Sequence, residues 1–373
     1  MIENSNVDRS AAYGSTLEAI LDEAGFAEAR AEISAWPDYA PTPLVALAGL
    51  SAEAGLGAVW YKDEGGRFGL GSFKALGGAY AVSRLVAREG ADVTVCSATD
   101  GNHGRSVAWG ARTFGCRCVI YIHATVSESR KAAIESYGAE VRRVAGNYDD
   151  SVRIAAEDAE ANGWHVVSDT SWKDYGEIAC DVKHGYGVMV AEALEQLPEG
   201  VMPSHVFVQG GVGGLAAAVL AMFWQRYGAA RPQFIVAEPE NAACLYESAK
   251  AGRRTAVPGN HDTIMAGLAA GEVSHLAWDI LWAGCDAFMT ISDDAARHMM
   301  RRLADGERGG DPAIVAGESA VAGLAAAISA RQAGALGLDG DSRILVIGSE
   351  GATDPALYEE IVGRSAEQVR AGA

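Results

Sequence analysis

The stretch "RFGLGSFKALGGAYAV", from Arg67 to Val82, contains a single lysine, Lys74. Its neighbours are Phe73, Ala75, Leu76, Gly77 and Gly78 rather than the charged residues that accompany a lysine on a solvated helix face. In such an apolar setting the ammonium form is disfavoured, and the amine becomes available as a base or a Schiff-base nucleophile. The plainer alternative is a lysine at a helix start whose stem is covered and whose amine reaches water.

Three further patterns carry chemistry. In "VFVQGGVGGLAAAV", Gly210, Gly211, Val212, Gly213 and Gly214 stand between an apolar run and a helical one. Converging backbone N–H groups at a helix N-terminus make a phosphate site without side-chain charge. Read as Gly211-x-Gly213-x-x-Ala216, with Glu238 ending the next strand, the pattern also fits a dinucleotide fingerprint. A tight turn with close helix packing is the third reading. In "SATDGNHGRSVAWGA", Asp100, Asn102 and His103 sit among glycines between a strand and a helix. Asn102 could bond a planar ligand, or the turn could simply be capped, since Asp and Asn favour such places. In "RILVIGSEGATDP", Ser349 ends an apolar strand, while Asp354-Pro355 reads as a helix cap followed by a first-turn proline.

These residues need elements to position them. Short apolar runs alternate with helical patterns along the chain: "AVWYK", "VTVCSA", "CVIYIH", "AEVRRV", "HVVSD", "HVFVQG", "QFIVAEP" and "RILVIGSEG". Strand, loop and helix repeated this often predict an α/β protein with covered, mostly parallel sheets. Ligands in such sheets sit at the carboxyl ends of the strands, where the four patterns fall. "LEQLPEGVMPSH", around Pro198 and Pro203, is the expected soft boundary, and "AGRRTAVPGNHDTIMAGLAAGEVSH" reads as a long functional loop.

Composition removes several classes of function. With 373 residues, 49% of them hydrophobic, the chain can bury a large core. A net charge of −19 and the lack of any basic run argue against nucleic acid or an anionic membrane as partner. No apolar run approaches the ~18–20 residues of a membrane span, and the first residues lack a secretory pattern, so a cytoplasmic protein is expected. The six cysteines are scattered and no His-Glu-x-x-His occurs, so no metal is expected.

Taken together and in this order, lysine, asparagine loop, glycine loop and late serine resemble the fold type II pyridoxal 5′-phosphate enzymes, the group of the tryptophan synthase β-subunit and threonine dehydratase. The resemblance runs from about Pro43 to Pro355. "YKDEGGRFGLGSFKALGG", "TDGNHGRSVAWGA", "SDTSWKDY", "IVAGESAVAG" and "SEGATDP" are similar, more narrowly, to the diaminopropionate ammonia-lyases. The resemblance implies two open sheets flanked by helices. It also implies a large domain of residues 1–86 and 171–373 enclosing a small one of 87–170, in a homodimer.

It further implies that Lys74 holds pyridoxal 5′-phosphate as a Schiff base and that the glycines from Gly210 to Gly214 cradle its phosphate. Asn102 would meet the ring hydroxyl, Ser349 the pyridine nitrogen, and Glu318 would line the cofactor. Asp100 and Asp169 would join Lys74 as the acid–base groups, with Lys74 and Asp100 serving opposite enantiomers. The implied reaction is α,β-elimination of 2,3-diaminopropionate to pyruvate and two ammonia. A serine or threonine dehydratase, or a β-replacement synthase, is the alternative within the fold. A dinucleotide-binding protein is the alternative outside it, and it leaves Lys74, Asn102 and Ser349 without a role.

Overall fold

Strands that are covered on both faces must split their side chains between two cores, and the central strands do so. The computed structural model describes residues 1–99, 101–146, 148–173, 175–306 and 310–372. In chain order the strands are β1 (Ile2–Glu3), β2 (Leu44–Ala46), β3 (Ala58–Asp63), β4 (Thr94–Ala98), β5 (Arg117–Ile122) and β6 (Glu140–Arg143). They continue with β7 (His165–Val166), β8 (His205–Gln209), β9 (Gln233–Pro239), β10 (Ala287–Ile291) and β11 (Arg343–Gly348). A seven-stranded sheet has the order β1-β10-β9-β8-β11-β3-β2, and a four-stranded sheet the order β6-β5-β4-β7. All pairings are parallel except β1 with β10 and β2 with β3, at the two edges of the larger sheet.

Val206, Val208, Val236, Leu345 and Ile347 enter one core, while Phe207, Ile235, Ile344 and Val346 enter the other. Each such side chain, fully removed from water, contributes about 1.5–3 kcal/mol. The first core is closed by the helices Lys74–Glu89, Glu177–Gln196 and Gly214–Tyr227, the second by Asp293–Ala304 and Ala322–Gln332. The small sheet is likewise covered twice, with Val95 and Ile120 facing the first core and Cys96, Val119 and Tyr121 a smaller third one.

The two-sheet α/β architecture is as expected, with differences. The residues around Pro198 and Pro203 form no boundary: they link the helix Glu177–Gln196 to β8, and Leu197 and Val206 on either side pack into the same core. Only His165 and Val166 of "HVVSD" are in a strand, because the chain leaves the sheet there and carries Asp169 away. The edge strands β1 and β2, two and three residues long, give too little pattern to read. No helix among the described residues is long and apolar enough to cross a membrane.

Candidate active site

β3 and β11 are parallel neighbours with Asp63 opposite Gly348, so both chains leave the sheet at one edge. The two exits are then tied together. Phe73 N–H donates to the Ser349 carbonyl at 3.0 Å, Gly351 N–H donates to the Gly71 carbonyl at 2.9 Å, and Ser72 pairs with Glu350. Gly71 has φ +77°, a conformation that a side chain resists. Lys74 therefore opens its helix immediately beside Ser349.

The glycines after Lys74 are required by packing. A methyl at Gly77 would lie 2.4 Å from Tyr186, and one at Gly78 2.1 Å from Ser106 Oγ; one at Gly185 would lie 2.0 Å from the Leu76 carbonyl. The Lys74 helix is thus wedged against the helices Asn102–Phe114 and Glu177–Gln196. Ser106 Oγ donates to the Lys74 carbonyl at 2.7 Å. The Lys74 amine passes 5.2 Å from the Phe73 ring centre and 5.9 Å from that of Tyr186, and donates to Asp169 Oδ2. The two side chains of this ion pair are only 19% and 16% exposed. Burial pushes the Asp169 carboxyl up, but Lys74, His103 and Lys183 outweigh it and hold the group well below the usual carboxylate range.

Asp169 is fixed from both sides. Val167 N–H bonds Cys96 of β4 at 2.8 Å, and the Val167 carbonyl meets His103 Nε2 at 3.0 Å. Ser171 Oγ lies 2.8 Å from Ser274 Oγ, and Ser274 N–H donates to the Val212 carbonyl at 2.9 Å. The aspartate loop is therefore stitched to the glycine loop.

In that loop Gly211 and Gly213 have φ of +61° and +94°. Among the described residues, the N–H groups of Gly211, Val212, Gly214 and Leu215 have no hydrogen-bond acceptor. Unpaired donors converging at the start of the helix Gly214–Tyr227 are the makings of an anion site. A methyl at Gly210 would lie 2.6 Å from Glu238 Cγ. Glu238 itself accepts from the N–H groups of Leu245 and Tyr246 at 3.0 and 2.7 Å, so it caps the helix Cys244–Ala251. That engagement removes the acidic partner from the dinucleotide reading.

Asn102 Nδ2 donates to Glu350 Oε2 at 2.5 Å, and Asn102 Oδ1 accepts from Arg105 at 3.1 Å, leaving the second amide N–H uncommitted among the described residues. Ser349 is buried, and among the described residues the hydrogen bond found at it is that of its carbonyl with Phe73 N–H, none involving its hydroxyl. Glu318 is buried too; its Oε2 has no partner among the described residues, and Arg130 approaches Oε1 at 3.6 Å. Burial, and then the nearby Glu350, push the Glu318 carboxyl well above the usual range. Asp100 lies outside the described residues.

Lys74, Asp169 and the glycine loop are thus in one place, and Asn102, Ser349 and Glu318 are joined around Glu350. Glu350, which directly follows Ser349 at the strand end, carries no local signal of this role. Lys183 does carry a signal, a charge amid Ala179, Val182, Tyr186 and Gly187 on a buried helix.

The sequence signature described as "Pyridoxal-phosphate dependent enzyme" matches residues 35–350. The chain belongs to this pyridoxal-phosphate-dependent enzyme family. Diaminopropionate ammonia-lyase of Escherichia coli K12 is 39% identical over 349 residues, 87% of each chain. A crystal structure of the E. coli enzyme with an aminoacrylate-PLP azomethine reaction intermediate superimposes with a TM-score of 0.89 at 37% identity, over 97% of this chain and 96% of that one. Another, in complex with D-serine, gives 0.90 at 35% identity, over 98% and 97%. This member of the family is therefore a fold type II, pyridoxal-phosphate-dependent elimination enzyme and a homologue of the diaminopropionate ammonia-lyases. The dinucleotide-binding alternative falls with this.

Proposed function

We propose that the chain is a diaminopropionate ammonia-lyase, converting 2,3-diaminopropionate and water to pyruvate and two ammonia. The observation that carries this reading is the contact of Lys74 with an ionised Asp169 beside the glycine loop. The residues present suit the cofactor. The uncommitted N–H groups of Gly211, Val212 and Gly214 suit its phosphate, with Gly210 and Gly213 keeping the approach open. The Ser349 hydroxyl, without a hydrogen bond among the described residues, suits its ring nitrogen, and the second N–H of Asn102 its ring hydroxyl. When bound, pyridoxal 5′-phosphate supplies the electron sink that makes the Cα proton of an amino acid removable.

The chain's own groups supply the rest. Lys74 anchors the cofactor and, once released, takes the Cα proton from one face. Asp100, through its match to the ammonia-lyase loop, takes it from the opposite face, so that each enantiomer has its base. The β-amine leaves as ammonia only when it carries a proton. An anionic Asp169 attracts the β-ammonium and keeps it protonated up to departure. Glu318, held neutral by its burial, lines the cofactor without adding a charge. A cytoplasmic homodimer, with residues 87–170 as the small domain, completes the reading.

The test is initial-rate pyruvate release from D- and L-2,3-diaminopropionate, D- and L-serine and L-threonine, for wild type and Lys74→Ala. Diaminopropionate should be the best substrate, and the variant should be folded and inactive. A serine or threonine preference would move the chain to the dehydratases, and an active Lys74→Ala would remove the lysine from its role.

A further inference from the structure

Lys183 lies in the middle of the helix Glu177–Gln196 with none of its side chain exposed. Buried ammonium groups are ordinarily paired with a carboxylate, because an uncompensated charge away from water is costly. Among the described residues Lys183 has no such partner. Among those residues its Nζ donates to two backbone carbonyls, that of Ala179 at 2.9 Å and that of Asp169 at 3.5 Å. The contrast with Lys62, equally buried but ion-paired to Glu192 at 2.7 Å, is direct.

The place of this cation is specific. A methyl built on Gly214 would lie 3.8 Å from Lys183 Cε and 3.3 Å from the Asp169 carbonyl. Lys183 therefore stands against the first residue of the helix whose opening N–H groups are uncommitted. Two sources of positive potential, the helix N-terminus and the ammonium, converge, and among the described residues the anion beside them is Asp169, which Lys74 already engages.

We propose that Lys183 is the countercharge for the phosphate of pyridoxal 5′-phosphate, seated behind the glycine loop. The assignment rests on the reading that Gly211 to Gly214 hold that phosphate, and adds to the N–H cradle a side-chain cation that a glycine loop does not itself require. Burial lowers the amine of Lys183 to about 8, with Cys180 and Asp169 drawing it back up and Lys74 opposing them. The group is thus mostly ammonium at neutral pH, the form a phosphate dianion would favour. Lys183 is a positioning residue for the cofactor and takes no part in proton transfer.

The experiment measures binding, not turnover. Apoenzyme is titrated with pyridoxal 5′-phosphate and with pyridoxal, which lacks the phosphate, by absorbance and fluorescence, and the ratio of the two affinities is taken. Lys183→Met keeps the length and removes the charge; Gly213→Val blocks the loop without touching Lys183. Lys183→Met should lower the ratio by about ten- to hundredfold, the range for loss of a charge-assisted hydrogen bond, with pyridoxal affinity little changed. Inorganic phosphate should raise the melting temperature of wild-type apoenzyme and fail to do so in Lys183→Met. A wild-type ratio and a wild-type phosphate effect in Lys183→Met would overturn the assignment. A wild-type ratio in Gly213→Val beside a lowered one in Lys183→Met would sink the loop reading and leave Lys183 standing. Should Lys183→Met not fold, Lys183→Leu is measured in its place under the same two criteria.

Discussion

Asp169→Asn is the most informative single change at the site. Asparagine keeps the shape of the side chain and removes one negative charge from among Lys74, His103 and Lys183, the groups that hold the carboxylate ionised against its burial. Two consequences can be sized. In catalysis, the substrate's β-ammonium loses the anion that holds it in place and keeps it protonated up to departure. Loss of a positioned acid–base group costs about 10²–10⁴ in rate, or about 2.7–5.5 kcal/mol of barrier. In stability, the ion pair is less than one-fifth exposed on either side, so its removal falls between the surface and the fully buried cases, at about 1–3 kcal/mol.

The sign of the pH dependence follows from the depressed carboxyl. A group whose folded pKa lies below its unfolded value stabilises above that unfolded value, about 3.9 for Asp, and the contribution is lost as pH falls through the folded value. Apoenzyme of Asp169→Asn should therefore melt lower than wild type at pH 7, and the gap should close in strong acid. The rate assay is pyruvate formation from each pure enantiomer of diaminopropionate under saturating cofactor. A kcat within tenfold of wild type for both enantiomers, in a variant that retains cofactor, would refute the role given to Asp169.

Asp100→Asn should depress turnover of one enantiomer by about 10²-fold or more while sparing the other, since Lys74 serves the opposite face; an equal fall for both would end the two-base scheme. Gly213→Val should lose cofactor on dialysis far more than Ser349→Ala, because Gly213 has φ +94° and a Cβ there would already stand 3.1 Å from Leu281 and 3.2 Å from Ala277; equal retention, read by cofactor absorbance, would contradict this. Glu192→Ala should destabilise by about 3–5 kcal/mol in urea unfolding, since it strands the buried Lys62, held to that carboxylate at 2.7 Å, and leaves Arg67 with Glu64 alone of its two carboxylates; a loss under about 1 kcal/mol would show the network to be dispensable.

The parts of the site that were legible are those that announce themselves locally. Val206–Val208 and Ile344–Ile347 read as strands because both faces are covered and every side chain is apolar. Lys74 read as chemical because the glycines that let its helix approach two others also strip the lysine of charged company. The strand β10 is hard to read locally, because only Cys285 and Asp286 separate it from the apolar helix His275–Gly284 and Thr290 interrupts its short apolar run. The pairing of Lys74 with Asp169 crosses 95 residues of sequence, and no local pattern specifies it. Asp169 was reachable only through its match to a family motif. Glu350 and Lys183 escaped because each lies beside a residue that drew a more obvious reading, Ser349 in one case and the helix pattern in the other.

The glycine contacts around the lysine helix also set where this enzyme can be altered. With Gly77, Gly78 and Gly185 pressed to within 2.0–2.4 Å of a hypothetical methyl's neighbours, and Gly110 to 2.7 Å from Ala79, one wall of the site admits almost no change in side-chain volume. Retuning substrate preference by directed evolution must then come from the other rim, where residues 168–173 and 272–274 meet through the hydroxyls of Ser171 and Ser274. Mutational libraries confined to those two segments should keep folded members at a much higher frequency than libraries of equal size on the lysine helix.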